Sequence, residues 1–305
     1  MSARVKKLGL HRVDGRSYWF AAYFNPFNYD LMAKYAGQGR ADRFNETFDN
    51  KIPFADAEIV KVYDDNEAAA RQFADTFGVD VASTLDEFGE GLDGVIVPFP
   101  SGGELRDYKV TSPLMERGIP LFLDRLILEQ SDVLGELFET AAQVKAPMLV
   151  TSLFRFLAYL LLPEDAETAD FAMVSTAGRP EGYGADAIDL IDELMKGKAA
   201  SVVNIGDDTK DILRIQYEDG RHAIVQLFHD QHPPMQFTSL GDGWGRSLQV
   251  DVSHFHLGAM RQFDAFLRTI ETREPYVPYE RTLTNAAILH AAESRKLGEE
   301  IRIDT

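Results

Sequence analysis

The sequence contains no cysteine among its 305 residues. This excludes a disulfide framework, a thiolate zinc site, an iron–sulfur cluster and a cysteine nucleophile. Basic residues are also scarce, because 31 Lys and Arg stand against 49 Asp and Glu, giving a formal net charge of −18. A chain this negative repels the phosphates of nucleic acids and of anionic membranes. We expect neither as a partner, and the lack of cysteine favours a cytoplasmic location.

The sequence also lacks an apolar run long enough to cross a membrane. Its most hydrophobic stretch, Leu149 to Leu162, is too short and contains Arg155. The basic residues after Met1 are not followed by the apolar segment and cleavage site of a signal peptide. Hydrophobic residues make up 45% of the chain and charged residues 26%, so a large core is available for one or two domains.

Short β-rich runs alternate with helical patterns from Val5 to about Ser152. Apolar residues recur at helical spacing in Glu67–Phe77 and in Val133–Val144. This alternation predicts a parallel sheet covered by crossover helices, with a ligand site at the carboxyl ends of the strands. The predicted strands are Val5–Val13, Glu58–Tyr63, Gly94–Pro98, Leu121–Asp124 and Met148–Ser152.

The pattern changes in the second half of the chain. Ile212–Tyr217 and His222–Phe228 are joined through Asp219-Gly220, which is a strong hairpin signal. Further strands are predicted at Phe171–Thr176, Ala200–Ile205, Met235–Leu240 and Gly245–Val252. Two helices are then predicted, one with an apolar stripe of Leu257, Met260, Phe263, Leu267 and Ile270, and one at Leu283–Leu297.

The predicted fold class is therefore α/β, with two domains. Residues 1–152 are expected to form a Rossmann-type domain with a parallel sheet. Residues 153–305 are expected to form an α+β domain with a mostly antiparallel open sheet, whose C-terminal helix packs back toward the first domain. Asn25–Phe54 is predicted to be irregular, and its length suggests a lid or an oligomer contact.

The turn after the first strand is the first candidate for cofactor binding. A dinucleotide-binding turn has three glycines, which let the backbone approach the pyrophosphate, whereas here only Gly15 is a glycine. Arg12 and Arg16 can supply positive charge for a phosphate, although Asp14 opposes it. The alternative is an ordinary solvated loop.

Asp64, at the end of the second strand, is the second candidate. An acid there can accept hydrogen bonds from both hydroxyls of an adenosine ribose and repels a 2′-phosphate, so NAD is predicted in preference to NADP. The alternative is a surface acid that caps the next helix, a role that fits Asp65 better.

The order of these segments resembles the Gfo/Idh/MocA oxidoreductase family over almost the whole chain. The resemblance implies a small-molecule substrate, namely a sugar, polyol or related hydroxy compound, and a homodimer or homotetramer formed through the C-terminal sheet. The segments that carry it are Val60–Asn66, Phe77–Val79, Leu92–Pro98, Met115–Arg125, Ala146–Val150, Leu153–Phe156, Tyr217–Gly220 and Phe266–Ile270.

The family's usual catalytic side chains are replaced here. Its Glu-Lys-Pro after the fifth strand becomes Asp124-Arg125-Leu126, and its Asp and His, four residues apart, become Gly182 and Asp186. At the family's lysine position, the Arg125 guanidinium can orient a carboxamide, carbonyl or carboxylate, and Asp124 is expected to contact the cofactor.

Asp186 is the first candidate for the base that takes a hydroxyl proton, and Tyr183 is the second. The alternative for Asp186 is a charge that stabilises the N-terminus of a helix. Ser101 follows a strand and precedes Gly102-Gly103, so it is either close to a nicotinamide or part of an ordinary turn.

Two other sets of residues invite a functional interpretation. The histidines at 229, 232, 254 and 256, with Asp251, match no metal-binding motif, so we expect them to be exposed or to cap helices, and we predict no metal. The alternative, which the resemblance implies, is that they line a substrate pocket on one face of the second sheet. Arg155 in its apolar surroundings requires a partner, either a structural acid or a substrate or cofactor.

Three hypotheses about function follow. The first is an NAD(P)-dependent oxidoreductase with a modified active site. The second is a redox-silent family member that binds a ligand or regulates another process. The third is a non-redox lyase or metal-dependent enzyme on the same scaffold.

Overall fold

The computed structural model describes residues 4–49, 51–98, 112–124, 131–293 and 297–303. Within these ranges, each helix is too short or too polar to span a lipid bilayer.

A six-stranded sheet forms the first half of the chain. Its strand order is β3-β2-β1-β4-β5-β6, and all neighbouring pairs are parallel. The strands are β1 (Lys6–His11), β2 (Ala57–Tyr63), β3 (Asp80–Val81), β4 (Gly94–Pro98), β5 (Leu121–Asp124) and β6 (Met148–Thr151). This order places a crevice between β1 and β4, where dinucleotide-binding folds hold their ligands. The predicted Rossmann-type sheet is confirmed.

Helices cover this sheet. They are α1 (Gly15–Ala21), α2 (Tyr29–Ala36), α3 (Gln38–Phe48), α4 (Glu67–Phe77), α5 (Leu85–Gly89) and α6 (Ser131–Val144). The prediction that 25–54 is irregular was wrong, because α2 and α3 lie there. Ala41, Phe44 and Phe48 recur at helical spacing and are buried in the core, which holds α3 against the domain.

A seven-stranded sheet forms the second half, in the order β12-β11-β7-β10-β9-β8-β13. Among the strands that the structure describes here, only β7 and β10 pair in parallel, so the prediction of a mostly antiparallel sheet is confirmed. The strands are β7 (Phe171–Ala177), β8 (Ala199–Asn204), β9 (Lys210–Tyr217), β10 (His222–Phe228), β11 (Gln236–Gly241), β12 (Trp244–Gln249) and β13 (Glu300–Arg302).

Helices of the second half connect the two sheets. They are α7 (Ala158–Leu161), α8 (Ala185–Met195), α9 (Val252–Thr272) and α10 (Tyr279–Glu293), with a 3₁₀ turn at Leu153–Leu157 before α7. In α9, Phe263 packs edge-on against Phe20 of α1, with ring centres 5.1 Å apart. Leu257 was predicted to lie on the buried stripe of this helix but is 41% exposed. In α10, the Tyr279 ring stacks on Phe138 of α6 at 4.3 Å.

Candidate functional site

A pocket of about 840 Å³ opens at the carboxyl edge of the first sheet. The first-half residues that line it include Gly15 and Arg16 of α1 and Asp124 at the end of β5. Tyr183 and Asp186 line it from the second half. The pocket thus brings together five of the residues that the sequence singled out.

The turn between β1 and α1 contains a residue in the left-handed backbone conformation. Arg12 has a φ of 72°, the left-handed conformation that a glycine adopts most easily. Asp14 is the N-cap of α1, and its carboxylate accepts hydrogen bonds from the backbone N–H groups of Arg16 and Ser17. The Ser17 hydroxyl completes a capping box by accepting the Asp14 N–H at 2.9 Å.

This capping has a direct consequence for phosphate binding. In dinucleotide-binding folds, the N–H groups at the start of this helix face the pyrophosphate. Here a carboxylate already accepts hydrogen bonds from two of them, and its negative charge repels a phosphate. The start of α1 therefore does not fit a pyrophosphate in the usual manner.

Asp64 connects the end of β2 to the same turn. Its two carboxylate oxygens accept the backbone N–H of Val13 at 2.6 Å and that of Asn66 at 2.7 Å. Each oxygen has a second lone pair, so the carboxylate can still accept a further hydrogen bond. The suggestion that Asp65 caps the next helix was wrong, because Asn66 is the N-cap of α4.

Arg16 lies between two buried carboxylates. It forms an ion pair with Asp124, which is 1% exposed and also accepts a long hydrogen bond from Gln262. Burial alone would lower the pKa of Arg16, but the charges of Asp124 and Asp186 outweigh it and raise the pKa. The guanidinium therefore stays charged and connects α1 to β5 across the carboxyl edge of the sheet.

Asp186 lies in the first turn of α8 and is 3% exposed. Helical spacing places three further carboxylates on the same side of α8, where Arg155 binds all of them. They are Asp189, Asp192 and Glu193. The prediction that Arg155 pairs with a structural acid is confirmed, and the network fixes α8 and thereby Asp186 against the start of the second half.

Tyr183 precedes α8 in a π-helical turn, Pro180–Gly184. Its ring lies nearly parallel to that of Phe154, 6.0 Å away. Phe154 is fully buried, so this contact holds the tyrosine ring against the wall of the pocket.

Two lining residues that the sequence did not single out are Arg40 and Arg43 of α3. Arg40 lies over Gly15, since a Cβ atom at Gly15 would be 2.9 Å from the Arg40 Nη2 atom. The sequence signal was the spacing of three between the arginines, one position before the apolar residues 41 and 44. It was missed because the segment was taken as irregular.

Arg125 and Ser101 lie outside the described residues. Their predicted contacts with the substrate and the cofactor therefore stay predictions.

The histidines were only partly as expected. The His229 side chain was expected to be exposed or capping but is 2% exposed, because it pairs with the buried Asp211 at 2.7 Å. His254 does take part in a capping box, with Asp251 at the start of α9. His256 contacts the Tyr23 hydroxyl at 3.1 Å. In the part of the chain that the structure describes, no group of His, Asp and Glu side chains is arranged to hold a metal ion.

Comparison with known proteins supports this assignment of the fold. Residues 33–152 match the GFO_IDH_MocA oxidoreductase family, described as having an NAD-binding Rossmann fold. No curated protein matches the sequence.

Solved structures resemble the whole chain, although their sequences are distant. A putative myo-inositol dehydrogenase from Sinorhizobium meliloti is 15% identical over 98% of this chain and 100% of that one, with a TM-score of 0.68. Scyllo-inositol dehydrogenase from Lactobacillus casei, solved with NAD(H) and scyllo-inositol, is 12% identical over 99% and 100%, with a TM-score of 0.71.

A putative NADPH-dependent oxidoreductase from Desulfitobacterium hafniense is 13% identical over 99% of each chain, with a TM-score of 0.73. At these identities the likeness shows the fold. The family model matches residues 33–152, and the solved structures extend the same fold over the rest of the chain.

Proposed function

We propose that the protein is an NAD(P)-dependent oxidoreductase that acts on a sugar, polyol or related hydroxy compound. The observation that carries the proposal is the pocket between the two halves, where Asp186, Arg16 and Asp124 meet at the carboxyl ends of the strands. The inositol dehydrogenases among the structural neighbours support a polyhydroxylated substrate.

The proton chemistry is assigned to side chains of the second half. Oxidation of an alcohol requires a base for the hydroxyl proton, and a bound dinucleotide supplies the hydride acceptor. Asp186 is the proposed base, because its carboxylate lines the pocket beside Arg16. Tyr183 is the second candidate, and Arg125 is proposed to orient the substrate's oxygen.

The chain's own residues fit only part of a dinucleotide. Asp64 retains lone pairs for ribose hydroxyls, and its charge opposes a 2′-phosphate, so we propose NAD rather than NADP. The pocket is lined by three further proposed cofactor contacts, namely Gly15, Arg16 and Asp124. A fourth, Arg12, lies in the turn that precedes α1. At the start of α1, Asp14 opposes the pyrophosphate, so no role in binding is assigned to those N–H groups.

Calorimetric titration of the full chain with NAD⁺ and NADP⁺ tests the proposal. We expect NAD⁺ to bind more tightly, and we expect Asp64→Asn to reduce the preference because it removes the charge that repels a 2′-phosphate. Equal affinity for the two nucleotides would contradict the role of Asp64. If neither binds at millimolar concentration, the oxidoreductase proposal is wrong.

The hydrogen bonds of Asp14 favour a second candidate function, that of a redox-silent family member that binds a small ligand. Its carboxylate accepts the two N–H groups that the pyrophosphate would need. Native mass spectrometry distinguishes the candidates, because an oxidoreductase is expected to retain or take up a dinucleotide. A protein that binds a polyol but no dinucleotide would support the second candidate.

The remaining proposals concern organisation. We propose that residues 1–152 and 153–305 are the two domains, with the chain crossing between them after β6.

We also propose a cytoplasmic homodimer or homotetramer, formed through the second sheet, where Leu240 of β11 is 44% exposed. Light scattering coupled to size-exclusion chromatography tests the assembly, and Leu240→Glu is expected to shift it toward the monomer.

A further inference from the structure

Helix α3 presents two arginines to the pocket. Its buried face consists of Ala41, Phe44 and Phe48, which fix the helix in the core. Arg40 and Arg43 are three residues apart, so they lie on one side of the helix, next to that face. Both line the pocket. The packing of α3 therefore fixes the positions from which both arginines reach the pocket.

Neither arginine has a carboxylate partner among the residues that the structure describes. The neighbouring acid on α3, Asp42, accepts hydrogen bonds from Tyr29 and Gln38 instead. Arg40 makes one long hydrogen bond, from Nη1 to the Gly15 carbonyl at 3.4 Å. In a chain with 49 acidic residues, two such arginines in one pocket are a notable concentration of positive charge.

The other charges of the pocket largely compensate one another. Arg16 lies between Asp124 and Asp186, which together carry one more charge than it does. Arg40 and Arg43 add positive charge to the same lining, with Arg40 beside Gly15 at the start of α1.

We infer that Arg40 and Arg43 bind an oxyanion, either a phosphoryl or a carboxylate group, of the ligand that occupies this pocket. Guanidinium groups match the oxygens of both anions in charge and in planar geometry. Arg40 lies over Gly15, next to the helix start where Asp14 occupies the N–H groups. The arginines thus supply the positive charge that the start of α1 does not. This inference deepens the proposed function, because it assigns an anion to the ligand of the same pocket.

The test compares two double variants that lose the same charge. Arg40→Gln/Arg43→Gln removes the proposed site. Arg71→Gln/Arg268→Gln is the matched control, because those arginines form exposed pairs with Glu67 and Asp264 elsewhere on the surface. The probes are inorganic diphosphate, D-gluconate and, as a neutral probe, myo-inositol. Binding is measured by calorimetry and by the fluorescence of Trp19, which lines the pocket.

We expect diphosphate, gluconate or both to bind the wild type, and to bind Arg40→Gln/Arg43→Gln at least about tenfold more weakly, as for the loss of a charge-assisted hydrogen bond. The control variant is expected to keep wild-type affinity for the anions, and binding of myo-inositol is expected to be the same in all three proteins. Diphosphate alone identifies a phosphoryl group, and gluconate alone identifies a carboxylate.

The inference is overturned if neither anion binds the wild type, or if both double variants lose affinity equally. Circular dichroism checks folding, and Arg40→Lys/Arg43→Lys, which keeps the charge, is expected to retain part of the affinity if the Gln variant does not fold. A separate titration with NAD⁺ distinguishes the two proposals. If the anions bind through these arginines but NAD⁺ does not bind, the oxidoreductase proposal fails and the anion site stands.

Discussion

His11, at the end of β1, makes the stability of the fold depend on pH. Its ring lies against Tyr63 and Phe88, and its Nδ1 atom has no hydrogen-bond partner among the described residues. Burial lowers the pKa of His11 from 6.5 to about 4. Between these values the unfolded histidine binds a proton that the folded one does not, so the free energy of unfolding falls as the pH falls, by up to about 3 kcal/mol.

Urea unfolding at several pH values between about 4.5 and 7, a range that spans the ordinary histidine pKa, measures this dependence. His11→Gln is expected to flatten the dependence, whatever its effect on absolute stability, because glutamine does not titrate. If wild type and variant show the same slope, another group causes the pH dependence.

Asp186 offers a test that separates catalysis from helix stability. If it is the base, Asp186→Asn is expected to leave cofactor affinity intact and to lower kcat by roughly 10²–10⁴, as for the loss of a general base. If it only favours the N-terminus of α8, the same change is expected to cost about 0.3–1 kcal/mol of stability. Unchanged turnover with a lower melting temperature would refute the catalytic role.

Arg155 is expected to be among the most sensitive positions in the chain. It is 3% exposed, and its hydrogen bonds hold Asp189 and Asp192, which are themselves buried. Arg155→Met removes the cation that pairs with Asp189, while Asp192 keeps its pair with Arg281 at 2.9 Å. Removal of one partner of a buried ion pair typically costs about 3–5 kcal/mol. Arg268→Met is the control, since its pair with Asp264 is exposed and is worth about 1 kcal/mol or less. Denaturant unfolding measures both, and similar small losses would contradict a structural role for the Arg155 network.

At the scale of the element, Asp14 at the start of α1 affects both the stability of the protein and the binding of a dinucleotide. Removing the Asp14 cap by Asp14→Ala is expected to destabilise the protein by about 0.5–2 kcal/mol, because the N–H groups of Arg16 and Ser17 lose their acceptor. The same change is expected to strengthen NAD⁺ binding, because it removes a negative charge from the path of the pyrophosphate. Thermal unfolding and calorimetry measure the two effects. Unchanged NAD⁺ binding in the variant would show that the pyrophosphate does not pass the start of α1.

The strands were more predictable than the segment that carries α2 and α3. His222–Phe228 was predicted with its observed limits, because it is a β-rich run that follows a Gly-containing turn. In 25–54, Gly37 and Gly39 interrupt the helical pattern, and α2 and α3 are short. Their stability comes from tertiary packing of a few aromatic residues, which local sequence does not reveal.

Site residues were likewise predicted where the sequence pattern was clear and missed where the local structure depends on tertiary packing. Asp124 and Asp186 occupy positions that the family resemblance marks, and the structure brings both into one pocket. Arg40 and Arg43 belong to the segment taken as irregular, so their spacing beside the apolar residues 41 and 44 was not recognised as one side of a helix. The hydrogen bond from the Val13 N–H to Asp64 was also hidden, since it depends on how the loops after β1 and β2 approach each other. The Asp14 cap is local, and Asp14 and Ser17 have the spacing of a capping box.

At the scale of the whole molecule, the long helix α9 packs against both halves of the chain. Phe263 of α9 packs against Phe20 and Phe122 of the first sheet's layer, while Gly258 lets the same helix approach the 3₁₀ turn. A Cβ atom at Gly258 would lie 2.7 Å from the Leu153 carbonyl oxygen. The pocket forms beside this junction, so its two walls come from distant parts of the chain.

The net charge of −18 determines how salt acts on this assembly of two sheets. Repulsion among excess carboxylates destabilises the compact state, and salt screens it, because the Debye length falls from about 30 Å at 0.01 M to about 3 Å at 1 M. The ion pairs of Arg155 are buried and are screened much less. We therefore expect the melting temperature to rise with NaCl over this range, by about 2 °C for each kcal/mol of repulsion relieved. KCl is expected to act equally, since screening depends on ionic strength, and a melting temperature that falls with either salt would show that attractive surface pairs dominate.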